Sequence, residues 1–301
     1  MSFSSDAKAE LCRARLDSKS AAVAECYGVL LCCNTFSQQE IRIITASDAF
    51  AARLPRLFRR AFSLGFDVQP DENASGKRSF LIRDGEKLKK IFEAFGSEWG
   101  STLSHHINFG VIEEESERVA FVRGAFLAGG SVTDPEKRYH LEIATPHHAV
   151  CREGYSVLLE LGFDARETQR AGSWLLYFKQ ADVIADFFTA LGASATAMAV
   201  MTVKVDKEMR NTITRQINCD SANADKVVSA AQEQLDAIRL IARRVGLDEL
   251  SEPLRDAALL RITNPAASLA DLAQLSYPKV TKSCLSHRLK KLMALADSMK
   301  E

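Results

Sequence analysis

The sequence predicts an α+β protein: a duplicated αββαββα unit with antiparallel sheets, followed by an all-α domain carrying a helix–turn–helix. Three observations predict it. Phe121–Ser131 (FVRGAFLAGGS) has a weaker copy at Glu25–Thr35 (ECYGVLLCCNT), in register at an offset of 96 residues between Gly28 and Gly124. Two further landmarks recur at nearly the same offset, LGFD at Leu64–Asp67 and Leu161–Asp164, and Gly96 with Gly192. Repetition of several landmarks at one spacing is the mark of an internal duplication. After Ala193 the strand-type alternation stops, and Ser268–Met293 has the punctuation of two short helices around a turn.

In each copy the small residues fall four apart, Ala120, Gly124 and Ala128 against Ala24, Gly28 and Cys32. Residues at that spacing share one helix face, so each copy presents a smooth stripe on which a second helix can approach closely. The centre of the repeat domain is therefore expected to be a helix–helix seam.

The elements follow in order. Residues 1–20 form a helical arm, with Phe3, Ala7, Leu11 and Ala14 at helical spacing. The first repeat spans 21–96. Its seam helix ends near Asn34, Glu40–Thr45 alternates as a strand, and Ser47 or Asp48 caps a helix that the glycine at Leu64–Gly65 stops. Phe66–Gln69 and Ser79–Ile82 form a hairpin around DENASGKR, and Asp84 opens a helix ending at Phe95–Gly96. A connector, 97–115, contains Trp99 and His105–His106. The second repeat, 116–192, runs through the same series. Its seam helix ends at Gly129–Gly130, Tyr139–Ala144 is a strand, and Thr145–Pro146 opens a helix with proline at its first position. A hairpin of Phe163–Gln169 and Ser173–Phe178 and a helix Ala181–Leu191 complete it. Residues 193–222 are expected to be a linker, β-leaning at Thr196–Val205 and polar at Lys207–Asp220. The helical domain, 223–301, opens with an amphipathic helix to Val245, and a second helix runs from Ser251 to Arg261.

Composition limits the function. Lys and Arg together number 39, as do Asp and Glu, so overall charge argues for no partner. Charge is distributed unevenly: Glu113–Gly192 carries 8 basic and 13 acidic residues, whereas Ala193–Glu301 carries 16 and 13. No apolar run is long enough to span a membrane and the start lacks a signal pattern, so a cytoplasmic, nucleoid-associated protein is expected. The seven cysteines are irregularly spaced, as reduced and mostly buried thiols are. His147, His148 and Cys151 could suggest zinc, but with no paired CxxC they are read as surface histidines and a core thiol, and no metal or cofactor is expected.

The binding chemistry is concentrated near the C-terminus. In SLADLAQLSYPKVTKSCLSHRLKKLM, Ser268 caps a first helix with Asp271 three residues on, and Pro278 forces the turn. Thr281 or Ser283 caps a second helix that buries Leu285, Leu289 and Leu292. Its other face carries Lys282, Ser283, Ser286, His287 and Lys290, with Arg288 and Lys291 at the flanks. From Tyr277 to Met293, Lys279 included, there are five Lys/Arg and no acid. A basic, polar face on the second helix suits the major groove, with short polar side chains reaching bases and the cations holding phosphates. Arg210, Asn211, Arg215 and Asn218 in the linker are further candidate contacts. Double-stranded DNA at promoters is the expected partner, with another transcription regulator or RNA polymerase beside it.

The duplicated unit resembles the LAGLIDADG homing-endonuclease fold, with Val122–Ser131 lying along the motif and a following serine. In that family the eighth motif position is acidic in both copies, and the two carboxylates hold divalent metal. Here those positions are Gly129 and Cys33, and neither glycine nor thiol is a magnesium ligand, so no catalytic residue is assigned. With the helix–turn–helix, the chain resembles the WhiA family of bacterial regulators. That resemblance rests on FVRGAFLAGGSVTDPEKRYHLEI, RQINCDSANADK and SLADLAQLSYPKVTKSCLSHRLKKL. It implies a non-enzymatic transcription regulator tied to cell division, chromosome segregation and, where it occurs, sporulation. The alternatives are a repeat domain serving mainly as a protein- or effector-binding module and, more remotely, residual metal-dependent cleavage.

Overall fold

The computed structural model describes residues 2–71, 76–99 and 105–299. Part of the expected hairpin loop in the first repeat and residues 100–104 of the connector lie outside them. The chain forms two compact units, Met1–Lys207 and Glu208–Glu301.

The first unit opens with α1 (Phe3–Leu11) and α2 (Lys19–Leu31), each started by a serine whose hydroxyl accepts from a first-turn amide. Strands β1 (Thr35–Phe36) and β2 (Ile41–Thr45) follow, then α3 (Asp48–Phe62), β3 (Arg78–Ile82) and α4 (Gly85–Ala94). The second repeat contributes α5 (Glu115–Gly129), β4 (Gly130–Val132), β5 (Leu141–Thr145), α6 (His148–Glu160), β6 (Arg166–Arg170), β7 (Ser173–Phe178) and α7 (Ala181–Ala190). Two antiparallel sheets result, in the orders β1-β2-β3 and β4-β5-β7-β6.

Helices α2 and α5 cross at the centre with their backbones in contact. A Cβ on Gly28 would fall 2.0 Å from the Phe121 carbonyl oxygen, and one on Gly124 would fall 2.0 Å from that of Glu25. Glycine is required at both because nothing larger fits between the backbones. Beside the seam lies a buried charge cluster. Glu25 on α2 accepts two hydrogen bonds from Arg53 on α3, at 2.6 and 2.8 Å, and Arg123 on α5 lies 3.3 Å away. Arg53 also donates to the Cys12 and Ala14 carbonyls, tying α3 to the chain that leaves α1.

Several local expectations change. The second repeat has the full hairpin, turning at Ala171–Gly172 with φ of 49° and 80°, but in the first repeat Phe66–Gln69 makes only one bridge, Val68 to Leu81. Helix α3 stops at Ser63, which takes the left-handed conformation itself (φ 59°), two residues before the glycine expected to end it. Pro146 is not the first residue of α6: Thr145 completes β5, its hydroxyl donating to the Leu31 carbonyl, and His147 occupies the N-cap.

The largest change is after Gly192. The β-leaning stretch and the polar linker are both helical, part of α8 (Ser194–Arg244). No glycine or proline interrupts this segment, and Ala193, Ala197 and Val200 are buried at helical spacing in the first unit's core. In the second unit the C-terminal part of α8 packs with α9 (Glu252–Thr263), α10 (Leu269–Leu275) and α11 (Lys282–Ser298). Its core holds Ile238 and Ile241 of α8, Ala257 and Ala258 of α9, Leu272 of α10, and Leu285, Leu289 and Leu292 of α11. Arg261 is buried among them and donates to the Ala267 carbonyl at 2.6 Å, fixing the α9–α10 loop.

Candidate nucleic-acid interface

Helix α10 begins with a capping box. The Ser268 hydroxyl accepts from the Asp271 amide, and the Asp271 carboxylate accepts from the Ser268 amide. The turn then delivers α11, whose N-cap Thr281 accepts from the Cys284 amide at 3.2 Å. Leu285, Leu289, Leu292 and Ala296, at i, i+4, i+7 and i+11, face the core. Ser283, His287, Lys290 and Ala294 have the same spacing on the opposite face, and all are exposed. Lys291 and Cys284 border that face and are also exposed, as are Lys279 and Lys282 at the helix entrance.

The nine residues selected from sequence thus divide into groups. Ser283, His287 and Lys290 share the outward surface with Lys291 at its border, and Lys279 and Lys282 stand at its N-terminal edge. Thr281 is exposed, but its hydroxyl is engaged in capping. Ser286 and Arg288 lie half-buried on opposite flanks of the helix, and Arg288 lines a groove against α9 rather than the outward face. Cys284 and the almost fully exposed Tyr277 were not selected; Tyr277, an aromatic beside the turn's proline, carries the clearer sequence signal. Arg210, Asn211, Arg215 and Asn218 are exposed on α8, where Asn211, Arg215 and Asn218 fall on one face at i, i+4 and i+7.

The repeat domain offers different chemistry. The position of Gly129 is closed: a Cβ there would fall 2.2 Å from the Ala144 carbonyl oxygen of β5. Cys33 is buried with its Sγ 3.1 Å from the Leu30 carbonyl oxygen, and burial pushes its thiol up to about 12. On the sheets, the arginines are largely answered locally. Glu40 pairs with Arg42 and Arg83, at 2.6 and 2.7 Å, and Glu142 pairs with His140 and Arg170, at 3.0 and 2.8 Å. Burial opposes ionisation of Glu142, but hydrogen bonds from His140 and Arg170 hold its carboxyl below the usual range. Near the connector, His105 stacks on His147 with ring centroids 3.8 Å apart, Cys151 is buried, and His148 lies against Trp174.

Two repeats crossed on glycine-bearing seam helices, with a separate capped helix–turn–helix, define a LAGLIDADG-type protein joined to a helix–turn–helix domain. The comparisons with known proteins agree. The WhiA LAGLIDADG-like domain matches residues 118–210 and the WhiA C-terminal HTH domain matches residues 213–296. The chain is 34% identical over 310 residues to the probable cell division protein WhiA of Ruminiclostridium cellulolyticum, covering 100% of this chain and 99% of that one. It is 32% identical over 312 residues to its namesake in Clostridium perfringens (strain 13 / Type A), with the same coverage. The crystal structure of full-length DUF199/WhiA from Thermatoga maritima superposes with a TM-score of 0.61 at 24% identity, covering 99% of each chain. The chain belongs to the WhiA family. Among the described residues, no helix is long and apolar enough to cross a membrane.

Proposed function

We propose that this protein is a sequence-specific DNA-binding transcription regulator that reads DNA with the outward face of α11. The observation that carries the reading is the composition of that face: Ser283, His287, Lys290 and Lys291 exposed together, with no acid between Tyr277 and Met293. Ser283 and His287, one turn apart near the start of α11, are placed for base edges, and Lys279, Lys282, Lys290 and Lys291 for the flanking phosphates. Asn211, Arg215 and Asn218, together on one face of α8, are secondary contacts, and Arg210 lies off that face. Family membership supports a role in cell division; roles in chromosome segregation and sporulation, action at promoters beside RNA polymerase or another regulator, and a cytoplasmic, nucleoid-associated location extend this reading. The repeat domain is not a nuclease, since Gly129 and Cys33 supply no anionic oxygen for metal.

The test is immunoprecipitation of the protein with its genomic DNA, followed by binding of the recovered sites at several salt concentrations. Lys282→Glu with Lys290→Glu is expected to weaken binding at least about tenfold and to flatten its salt dependence. Undiminished binding by this variant would refute the assignment of α11. A second reading, in which the repeat domain binds a protein or effector, is favoured by the local pairing of its sheet arginines with Glu40 and Glu142. Removal of residues 208–301 tests it: a partner retained by the repeat domain supports it, and loss of every partner counts against it.

A further inference from the structure

The helix–turn–helix unit has a second face unlike the first. A groove of about 550 Å³ runs along α9 to the turn before α11, large enough for several side chains. Glu252 and Asp256, one turn apart on α9, stand on one wall without an ion pair among the described residues, and Arg288 of α11 stands on the other. Leu259 of α9 and Tyr277 of the turn line the groove as well, 47% and 97% exposed. Paired carboxylates repel phosphate, which makes this face unsuited to DNA.

The same unit carries a surface that fits it. Residues 208–230 of α8 are all exposed. Met209, Ile213 and Ile217 form an apolar stripe at i, i+4 and i+8, each more than half exposed. Arg210 and Asp220 flank that stripe, so the stripe and the groove each hold apolar surface between charges of both signs. Within one chain the two cannot meet, because Ile217 lies 14 residues before Ala231, the first buried position of this part of α8, roughly 20 Å along the same helix. We infer that the groove receives the Met209–Ile217 face of α8 from a second copy of the chain, with Arg210 toward Glu252 and Asp256, and Asp220 toward Arg288. Because every copy carries both surfaces, two copies can satisfy each other and close a two-fold dimer.

Sedimentation velocity on the full chain without DNA, across the micromolar range, tests this. A monomer–dimer equilibrium is expected. Ile213→Asp and Asp256→Arg, both at exposed positions, should each raise the dimer dissociation constant at least about tenfold. The charge swap Asp256→Arg with Arg210→Asp should recover most of the loss, an outcome that misfolding would not produce, and circular dichroism checks the helix content. A chain that stays monomeric throughout would overturn the inference, as would a dimer whose dissociation constant ignores both single substitutions.

Discussion

Gly28 and Gly124 occupy equivalent places on the two seam helices, and each faces a backbone carbonyl of the other helix: Gly28 that of Phe121, Gly124 that of Glu25. The faced residues are themselves 96 apart, as the glycines are, so one contact is made twice about a pseudo-two-fold axis. A methyl group 2.0 Å from a carbonyl oxygen can be accommodated only by moving a helix. Gly28→Ala and Gly124→Ala are each expected to cost about 3 kcal/mol or more, beyond the usual overpacking cost because backbone and not side chain must yield. Gly65→Ala, where nothing lies within 4 Å, should be near neutral. Thermal unfolding of the three variants checks the contrast, and a small effect at both seam positions would show that the helices can separate freely.

Glu25 and Arg53 form the second structural pair, both almost fully buried. Glu25→Gln would leave the Arg53 guanidinium without its charge partner in a dry site, and the expected loss is about 3–5 kcal/mol. Replacing both by well-packed apolar residues should cost much less, since desolvation offsets most of the pair's attraction. Urea denaturation of the single and double variants separates the two cases. Equal losses would mean that the hydrogen bonds from Arg53 to Cys12 and Ala14, lost when Arg53 is replaced, carry the stability instead.

The seam was legible in the sequence because small residues at a four-residue spacing, repeated at one offset, have a single physical meaning. The buried pair was not, since a glutamate in an apolar helix and an arginine 28 positions later show nothing of their meeting. The missed helix after Gly192 was legible in principle. Val200, Val203 and Val205 suggested a strand, yet the absence of any glycine or proline before Gly246 was the stronger signal. On α11 the caps and the buried leucines followed from spacing alone. Ser286, expected on the outward face, is half-buried, and Arg288, expected at a flank, turns toward a groove against α9; both depend on how α9 and α10 lie against the helix, which one helix's periodicity does not contain.

His105 provides a pH-dependent test. Burial, with His147 and His106 beside it, pushes its imidazole down to about 4, against an unfolded value near 6.5. Between those values the unfolded chain binds the proton and the folded chain does not, so stability falls as pH drops from about 6.5 toward 4. His105→Phe keeps a ring to stack on His147 and Phe36 but cannot take a proton. The gap in stability between the variant and the original chain should therefore shift in the variant's favour by more than about 1 kcal/mol over that pH range. Parallel pH curves for the two proteins would remove His105 as the origin of the dependence.

Gly129 and Cys33, at the positions that are acidic in the resembled nucleases, make the last prediction, because two explanations for the proposed lack of cleavage differ in what substitution can restore. If carboxylates alone were missing, Cys33→Asp with Gly129→Asp would rebuild a metal site. The structure argues otherwise. Cys33 lies in a buried pocket against Leu30, and Gly129 is pressed against the Ala144 carbonyl oxygen, where even a Cβ falls at 2.2 Å. An aspartate at 129 would have to push β5 away from α5, and a carboxylate at 33 would sit desolvated. The double variant is therefore expected to unfold at a lower temperature and to leave supercoiled plasmid intact with Mg²⁺ or Mn²⁺. Plasmid nicking by the double variant that disappears on chelation would show that the seam still holds room for metal, and that side chains alone separate it from a nuclease.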